Sequence, residues 1–191
     1  VHVTLNGRDQ GVLAATVEEI RALAPSVDVN AVAGNVADRD CQLALLAVTP
    51  DPDILVNNNG GPPFRDFREL KREAMTEGII MNMITPIEMI NAVIDGMAER
   101  CFGRIVNITS ISVKKPVLGL DLSSGSRGGL TAFLAGVSRA VAHNNVTINN
   151  ILPGFFDTDR LRASSNASAV SLGTTVEEVA QDRIKPVSYT H

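Results

Sequence analysis

The stretch VHVTLNGRDQGVLAATVEEIRALAPSVDVNAVAG, residues 1–34, decides the fold class. Its first five residues are a strand-like run that breaks at the turn Asn6-Gly7-Arg8. Over 9–24, Val12, Leu13, Val17, Ile20, Leu23 and Ala24 line one helical stripe, and 27–34 then alternates with period two. Two short strands separated by an amphipathic helix cannot be a hairpin. They form a β-α-β unit, whose strands run parallel because the helix carries the chain back to the starting end.

The remaining chain repeats the alternation. Asp38 caps a helix reaching about Val48, DILVN (53–57) is a compact apolar strand, and a polar loop leads to a long helix over 71–100. RIVNIT (104–109) is the fourth strand, 123–142 the next helix, and VTINNIL (146–152) a strand stopped by Pro153-Gly154. Helical pieces follow near 159–168 and 175–184. Strands and helices in strict alternation predict one open, doubly wound α/β domain over 1–186, its parallel sheet covered on both faces. Such domains bind ligands where the carboxyl ends of the strands converge. The polar residues stand there: Asn6 and Arg8, Asn35, Asn57 to Gly60, Ser110, and Pro153 to Thr158.

With 191 residues, 45% hydrophobic and 20% charged, the chain can bury a sizeable core and is not compositionally disordered. A net charge of −4 gives no electrostatic footprint for nucleic acid. The first residues do not read as a signal peptide. No apolar run approaches the roughly 20 residues that span a bilayer, and the greasiest stretch, GIIMNMITPIEMINAVI, is interrupted by Asn82, Pro86, Glu88 and Asn91. No membrane partner is expected. Cys41 and Cys101 lack paired spacing, which reads as reduced thiols in a cytoplasmic protein and not as a disulfide or metal pair.

Four stretches carry chemistry. In DILVNNNGG (53–61), Asn57, Asn58 and Asn59 can satisfy backbone groups of neighbouring strand ends while Gly60 and Gly61 admit a ligand closely; a plain turn is the alternative. Ser110 ends the strand of GRIVNITSIS (103–112), where its hydroxyl can reach a substrate carbonyl or simply close a turn. Asn82, in MNM (81–83), sits inside an apolar helical stripe, where a buried amide needs a partner. Thr158 closes VTINNILPGFFDT (146–158) and can equally cap the helix that begins DRLR.

In this order, these stretches resemble the short-chain dehydrogenase/reductases, a Rossmann-type family, over about residues 1–160, and within it a 3-oxoacyl-[acyl-carrier-protein] reductase-like branch. The resemblance implies an NAD(P)-dependent oxidoreductase moving hydride between a nicotinamide cofactor and a small carbonyl or alcohol substrate. It implies catalytic roles for Ser110 and Asn82, and cofactor contacts from Asn57, Asn59, Gly60, Pro153, Gly154 and Thr158. Asn59 stands where the family carries alanine. In this fold the residue ending the strand 1–5 faces the adenosine ribose, where an acidic side chain selects NAD. Asn6 followed by Arg8 offers a 2′-phosphate a cation and no carboxylate, so NADP is expected over NAD; the alternative is a solvated Arg8 with Asp9 capping the next helix. Asn35 stands where the family has an adenine-contacting Asp, with Val36 beside it.

The chain departs from the family in two ways. The first strand and the glycine-rich turn that holds a pyrophosphate have no counterpart before VHVTL, and the last strand has none after Lys185. That first strand would lie between 1–5 and 53–57, so an incomplete domain with two unpaired edges and a slot in the core is expected. Val187 to His191 reads as a non-native tail resembling a translated sequencing-adaptor remnant.

The second departure is catalytic. The family's Tyr and Lys, four residues apart, fall in register on Ser123 and Arg127 of GLDLSSGSRGGLTAF (119–133). The register assigns both to catalysis and Arg127 also to the cofactor. A phenol of pKa about 10, lowered by a nearby cation, can pass a proton; a serine hydroxyl is far less acidic, and Arg127 stays charged. Ser123 can also serve as a helix cap. Three readings stand: a divergent reductase, a non-catalytic nucleotide-binding module, or an inactive fragment of such a protein. Ala132, Ala135, Gly136 and Ala140 fit packing on the sheet. They also fit, as in the family, a homodimer or homotetramer built through helices 71–100 and 123–142.

Overall fold

The computed structural model describes residues 1–154, 156 and 158–184; the expected tail at 187–191, with Tyr189, lies outside them. Strand β1 (His2–Gly7) leads through α1 (Gln10–Leu23) to β2 (Asp28–Ala33), and α2 (Arg39–Val48) leads to β3 (Ile54–Asn57). Helix α3 (Arg72–Ile79) passes through a π turn (Ile80–Ile84) into α4 (Thr85–Glu99). Then come β4 (Gly103–Ile108), α5 (Asp121–Val141), β5 (Val146–Ile151), α6 (Asp159–Leu172) and α7 (Val176–Ile184).

All pairing is parallel, as the alternation predicts, but the sheet is in two parts. β1 pairs with β2 from His2↔Asp28 to Gly7↔Ala33, and β3, β4 and β5 pair in that order. No ladder joins β1 to β3 among the described residues. Each therefore keeps an unpaired edge, and Ile54 and Val56 of β3 are 61% and 57% exposed. Polar bridges span the division. Gln42 of α2, buried, donates both to the Val36 carbonyl and to Glu88 Oε2 on α4, each at 3.0 Å. The Thr4 and Thr49 hydroxyls meet at 2.6 Å.

The main core lies beneath the larger sheet. Ile90, Val93, Ile94 and Met97 of α4 pack on Ile105, Val146, Leu130 and Leu134 from β4, β5 and α5. Burying each such side chain stabilises the fold by about 1.5–3 kcal/mol. A smaller cluster buries Leu13 and Val17 of α1 and Val29 of β2. Asp9 starts α1 by accepting the Val12 amide at 2.9 Å, the capping role considered for it. Asp38 stands at the N-cap of α2 but makes no side-chain cap bond.

The long helix expected over 71–100 is found as Arg72–Glu99, continuous through the π turn; two other expectations change. By length and composition this one helix is apolar enough to cross a bilayer; here its apolar stripe is spent on the protein core. Ser123 is not a helix cap. Helix α5 begins at Asp121, with Leu120 at the cap position, so Ser123 lies inside the first turn and is buried.

Candidate functional site

The carboxyl ends of β1, β2 and β3 open onto a cleft of about 500 Å³, within the range of small-molecule and cofactor sites. Asn6, Arg8, Asn35, Val36, Asn59 and Gly60 line it, joined by Asn82 from the π turn. These residues are far apart in sequence, and the parallel topology brings them to one edge. Arg8 is exposed and makes no ion pair among the described residues. The Asn35 carboxamide oxygen accepts the Ala37 amide at 3.2 Å, which shapes the turn after β2. A side chain at Gly60 would meet nothing within 4 Å.

At the far end of the cleft Asn6 is held from behind. Its Nδ2 donates to the Val32 carbonyl at 2.9 Å and the Gly34 carbonyl at 3.2 Å, and lies 3.4 Å from Cys41 Sγ. Gly34 is required there: its φ is +154°, and a Cβ would sit 2.8 Å from that sulfur. Burial pushes the Cys41 thiol pKa up; the Asn6 hydrogen bond opposes this and the charge of Asp38 adds to it.

Asn57 does not reach the cleft. Its Nδ2 donates to Asn107 Oδ1 at 3.0 Å, and Asn107 Nδ2 donates to Asn150 Oδ1 at 3.2 Å. The three are register partners across β3, β4 and β5, so one row of amides ties the strand ends together. Asn107 and Asn150 were missed in the sequence, although VNNNG, IVNIT and INNIL each carry the signal: an asparagine near the end of an apolar strand.

Beside this row lies a cavity of about 10 Å³, lined by Asn57, Asn59, Asn82, Asn107 and Arg127, large enough for about one water. Arg127 projects from α5 into the protein, buried. Its Nη1 donates to the carbonyls of Ile108 at 2.8 Å and Thr109 at 2.5 Å, and its Nη2 to Asn59 O at 3.2 Å. The guanidinium thus clamps the end of β4 to the loop after β3. Asn59 in turn donates from Nδ2 to Met81 O at 2.8 Å, a carbonyl of the π turn. Asn82 donates to Gly78 O at 3.2 Å, while its Oδ1 is buried with no partner. A buried carbonyl oxygen lacking a donor is costly. The arrangement fits a group with a donor arriving there, and π turns concentrate at functional sites.

Ser110 follows β4, and its Oγ accepts the Ser112 amide at 3.1 Å. The next amide, of Ile111, donates to Pro153 O at 2.9 Å, so Ser110 and Pro153 are brought side by side from β4 and β5. Thr158 is exposed, and its Oγ1 accepts the Leu161 amide at 3.3 Å, capping α6. Ser110, Ser123, Pro153, Gly154 and Thr158 line neither cavity. Among the described residues there is no group of three metal-ligating side chains. The cleft residues fit a polar, anionic ligand with hydrogen-bond donors, as a dinucleotide is: a cation with no ion pair among the described residues, the Asn6 amide beside it, and an orphan acceptor in Asn82.

Comparison with known proteins identifies the family. The sequence profile described as short chain dehydrogenase matches residues 1–169. An acetoacetyl-CoA reductase of Cupriavidus necator is 34% identical over 134 residues, 68% of this chain and 54% of that protein. The 3-oxoacyl-[acyl-carrier-protein] reductase of Vibrio cholerae is 31% identical over 111 residues, 58% of this chain and 46% of its own. The chain spans about half the length of these curated relatives. A solved structure of actinorhodin polyketide ketoreductase with NADPH superimposes with a TM-score of 0.84 at 27% identity, covering 95% of this chain and 71% of that one. This chain belongs to the short chain dehydrogenase family.

Proposed function

We propose that the cleft binds a nicotinamide cofactor, NADP over NAD, and that the protein is a cytoplasmic oxidoreductase acting on a small carbonyl or alcohol. The observation that carries this is the cleft, where Arg8 stands as an exposed cation without an ion-pair partner among the described residues and Asn82 Oδ1 as a buried acceptor without a donor. A reductase likeness to NADPH-bound structures supports the cofactor choice. The bound cofactor would supply the hydride. Of the chain's own residues, Asn6, Arg8, Asn35 and Val36 would hold its adenosine half, with Asn59 and Gly60 along the middle. Pro153, Gly154 and Thr158 would approach the nicotinamide. Ser110 would donate its hydroxyl to the carbonyl, and Asn82 Oδ1 would accept from a water or hydroxyl beside it, with Ser123 next to them in the family's register.

A second reading has its own observation. The Arg127 guanidinium is engaged with three backbone carbonyls, and neither it nor a serine hydroxyl is a competent acid near neutral pH. A non-catalytic nucleotide-binding module satisfies the same cleft. Fluorescence titration with NADPH, followed by NADPH oxidation against a panel of carbonyl compounds, separates the two. Turnover establishes the reductase. Binding without turnover, restored by S123Y with R127K, establishes the module. Absence of NADPH binding by folded protein refutes both. Exposed Ile79, Ile80, Ile84 and Phe133 on the helix through the π turn and on α5 support a homodimer or homotetramer through those helices, which sedimentation velocity tests.

A further inference from the structure

We infer that the carbonyl substrate is an aliphatic compound carrying an anionic group, a carboxylate or a phosphate, and that Arg65 receives that group beside an apolar wall of the cleft. The inference rests on the cleft being the nicotinamide-cofactor site. The cofactor contacts proposed above leave part of the cleft lining unassigned: Arg65 with Leu70, Ala74, Met81 and Leu122. The loop after β3, the helix through the π turn, and α5 supply these residues. Leu122 of α5 lies over Gly78 of α3 so closely that a Cβ on the glycine would sit 2.7 Å from Leu122 Cδ2. The two helices therefore meet there in a closed apolar seam.

Arg65 adds a cation to this wall, and its backbone is held. Its amide donates to Gly119 O at 2.9 Å, tying the loop after β3 to the segment before α5. Pro62 and Pro63, just before it, restrict the same loop. The side chain is exposed and makes no ion pair among the described residues. Its neighbour Asp66 is taken up elsewhere, accepting the Arg68 amide at 2.8 Å and pairing with the Arg68 guanidinium at 3.0 Å. Glu77 also lines the cleft; it is exposed and makes no ion pair with Arg65.

The chemistry selects a ligand class. A guanidinium presents a planar fork of donors that fits two oxygens of a carboxylate or phosphate. Leucine, alanine and methionine side chains take methylene groups. A neutral polyhydroxy compound would leave the cation unused and set its hydroxyls against apolar side chains without partners.

Titration of the full chain's NADPH complex with carbonyl ligands, followed by nicotinamide fluorescence, tests this without requiring turnover. The probes are 4-oxopentanoate and its ethyl ester, and dihydroxyacetone phosphate and dihydroxyacetone. At least one charged compound should bind about 10-fold or more tightly than its neutral counterpart, and which one does so distinguishes carboxylate from phosphate. Arg65→Gln should weaken the charged ligand about 10- to 100-fold, leaving the neutral ligand and NADPH within about twofold. Arg65→Lys, which keeps the charge without the fork, should retain part of the preference. Circular dichroism checks each fold, and Arg65→Ser replaces Arg65→Gln should that variant unfold. Equal affinity for charged and neutral ligands, or no binding of either charged compound to the NADPH complex, overturns the inference alone. So does an equal loss of charged and neutral ligands in Arg65→Gln. A loss of NADPH affinity in Arg65→Gln places the guanidinium on the cofactor and overturns it as well. Failure of folded wild type to bind NADPH overturns the cofactor reading itself and this inference with it.

Discussion

Arg127 is expected to act on stability more than on ligand binding, and R127M is the perturbation that distinguishes these. Methionine keeps much of the buried apolar stem but removes every donor. Three backbone carbonyls, of Ile108, Thr109 and Asn59, then lose a cationic partner inside the protein. A buried acceptor left without its bond costs about 1–3 kcal/mol. The three are not additive, because each oxygen has a second lone pair and the loop of Asn59 can relax. About 3 kcal/mol is therefore expected, a large share of the roughly 5–15 kcal/mol that holds an ordinary domain together. For a chain of this size that lowers Tm by roughly 6–12 °C. R127K retains the charge but not the planar fork, so it cannot serve carbonyls on two different segments and should lose about half as much. Thermal unfolding followed by circular dichroism reads both. A melting point for R127M within about 1 °C of wild type would refute the clamp. Intact stability with lost NADPH binding would instead place the guanidinium at the cofactor.

Other consequences are measurable with small changes. N59A removes the donor to Met81 O in the π turn and should cost about 1 kcal/mol; in a double-mutant cycle with R127M the two should couple by at least about 0.5 kcal/mol, since both act on the Asn59 loop. Cys101 is exposed and Cys41 buried, so a disulfide reagent should titrate one thiol quickly and the other only on unfolding. Because burial raises the folded pKa of Cys41, its contribution is present below the unfolded thiol pKa and is lost as pH rises through the folded value. C41A should therefore flatten the fall in stability above pH of about 8.5–9. I54K or V56K puts a charge on the open edge of β3 and should reduce light scattering at equal concentration, without lowering helix content.

The order of strands and helices was legible because hydrophobic period is a local property. The stripe of α1 and the apolar runs of β3 and β4 state their own geometry, and each lies within two residues of its expected place. The division of the sheet was expected only through the family resemblance, whose strand order sets a further strand between β1 and β3. Side-chain roles were less so. Asn57 belongs to a row of amides that exists only once β3, β4 and β5 are in register; each strand end shows its asparagine, but only the register pairs Asn57 with Asn107 and Asn107 with Asn150. The orientation of Arg127 depends on where the carbonyls of two separate segments end up. Ser123 looked like a cap because serine before a helix usually is one; the helix instead begins at Asp121 and takes that serine inside.

Asn59 and Arg127, which the family resemblance sets in the places of an alanine and a lysine, are joined in the structure. Arg127 donates to the backbone of Asn59, and the Asn59 side chain donates to the π turn that carries Asn82. An alanine could not reach Met81 O, and an ammonium lacks the planar fork with which Arg127 holds carbonyls on the β3 loop and the end of β4. Each substitution makes the other useful: the longer fork fixes the loop, and the loop's amide then fixes the helix. The exchange of Tyr and Lys is therefore not a simple deletion from an otherwise unchanged site. We propose that the cation which the family's register sets at a ligand serves here as scaffold, since its Nη atoms are taken up by three backbone carbonyls. S123Y alone would set a phenol beside a guanidinium whose Nη donors are already engaged by carbonyls, whereas S123Y with R127K sets it beside an ammonium, the pairing that the family's register implies.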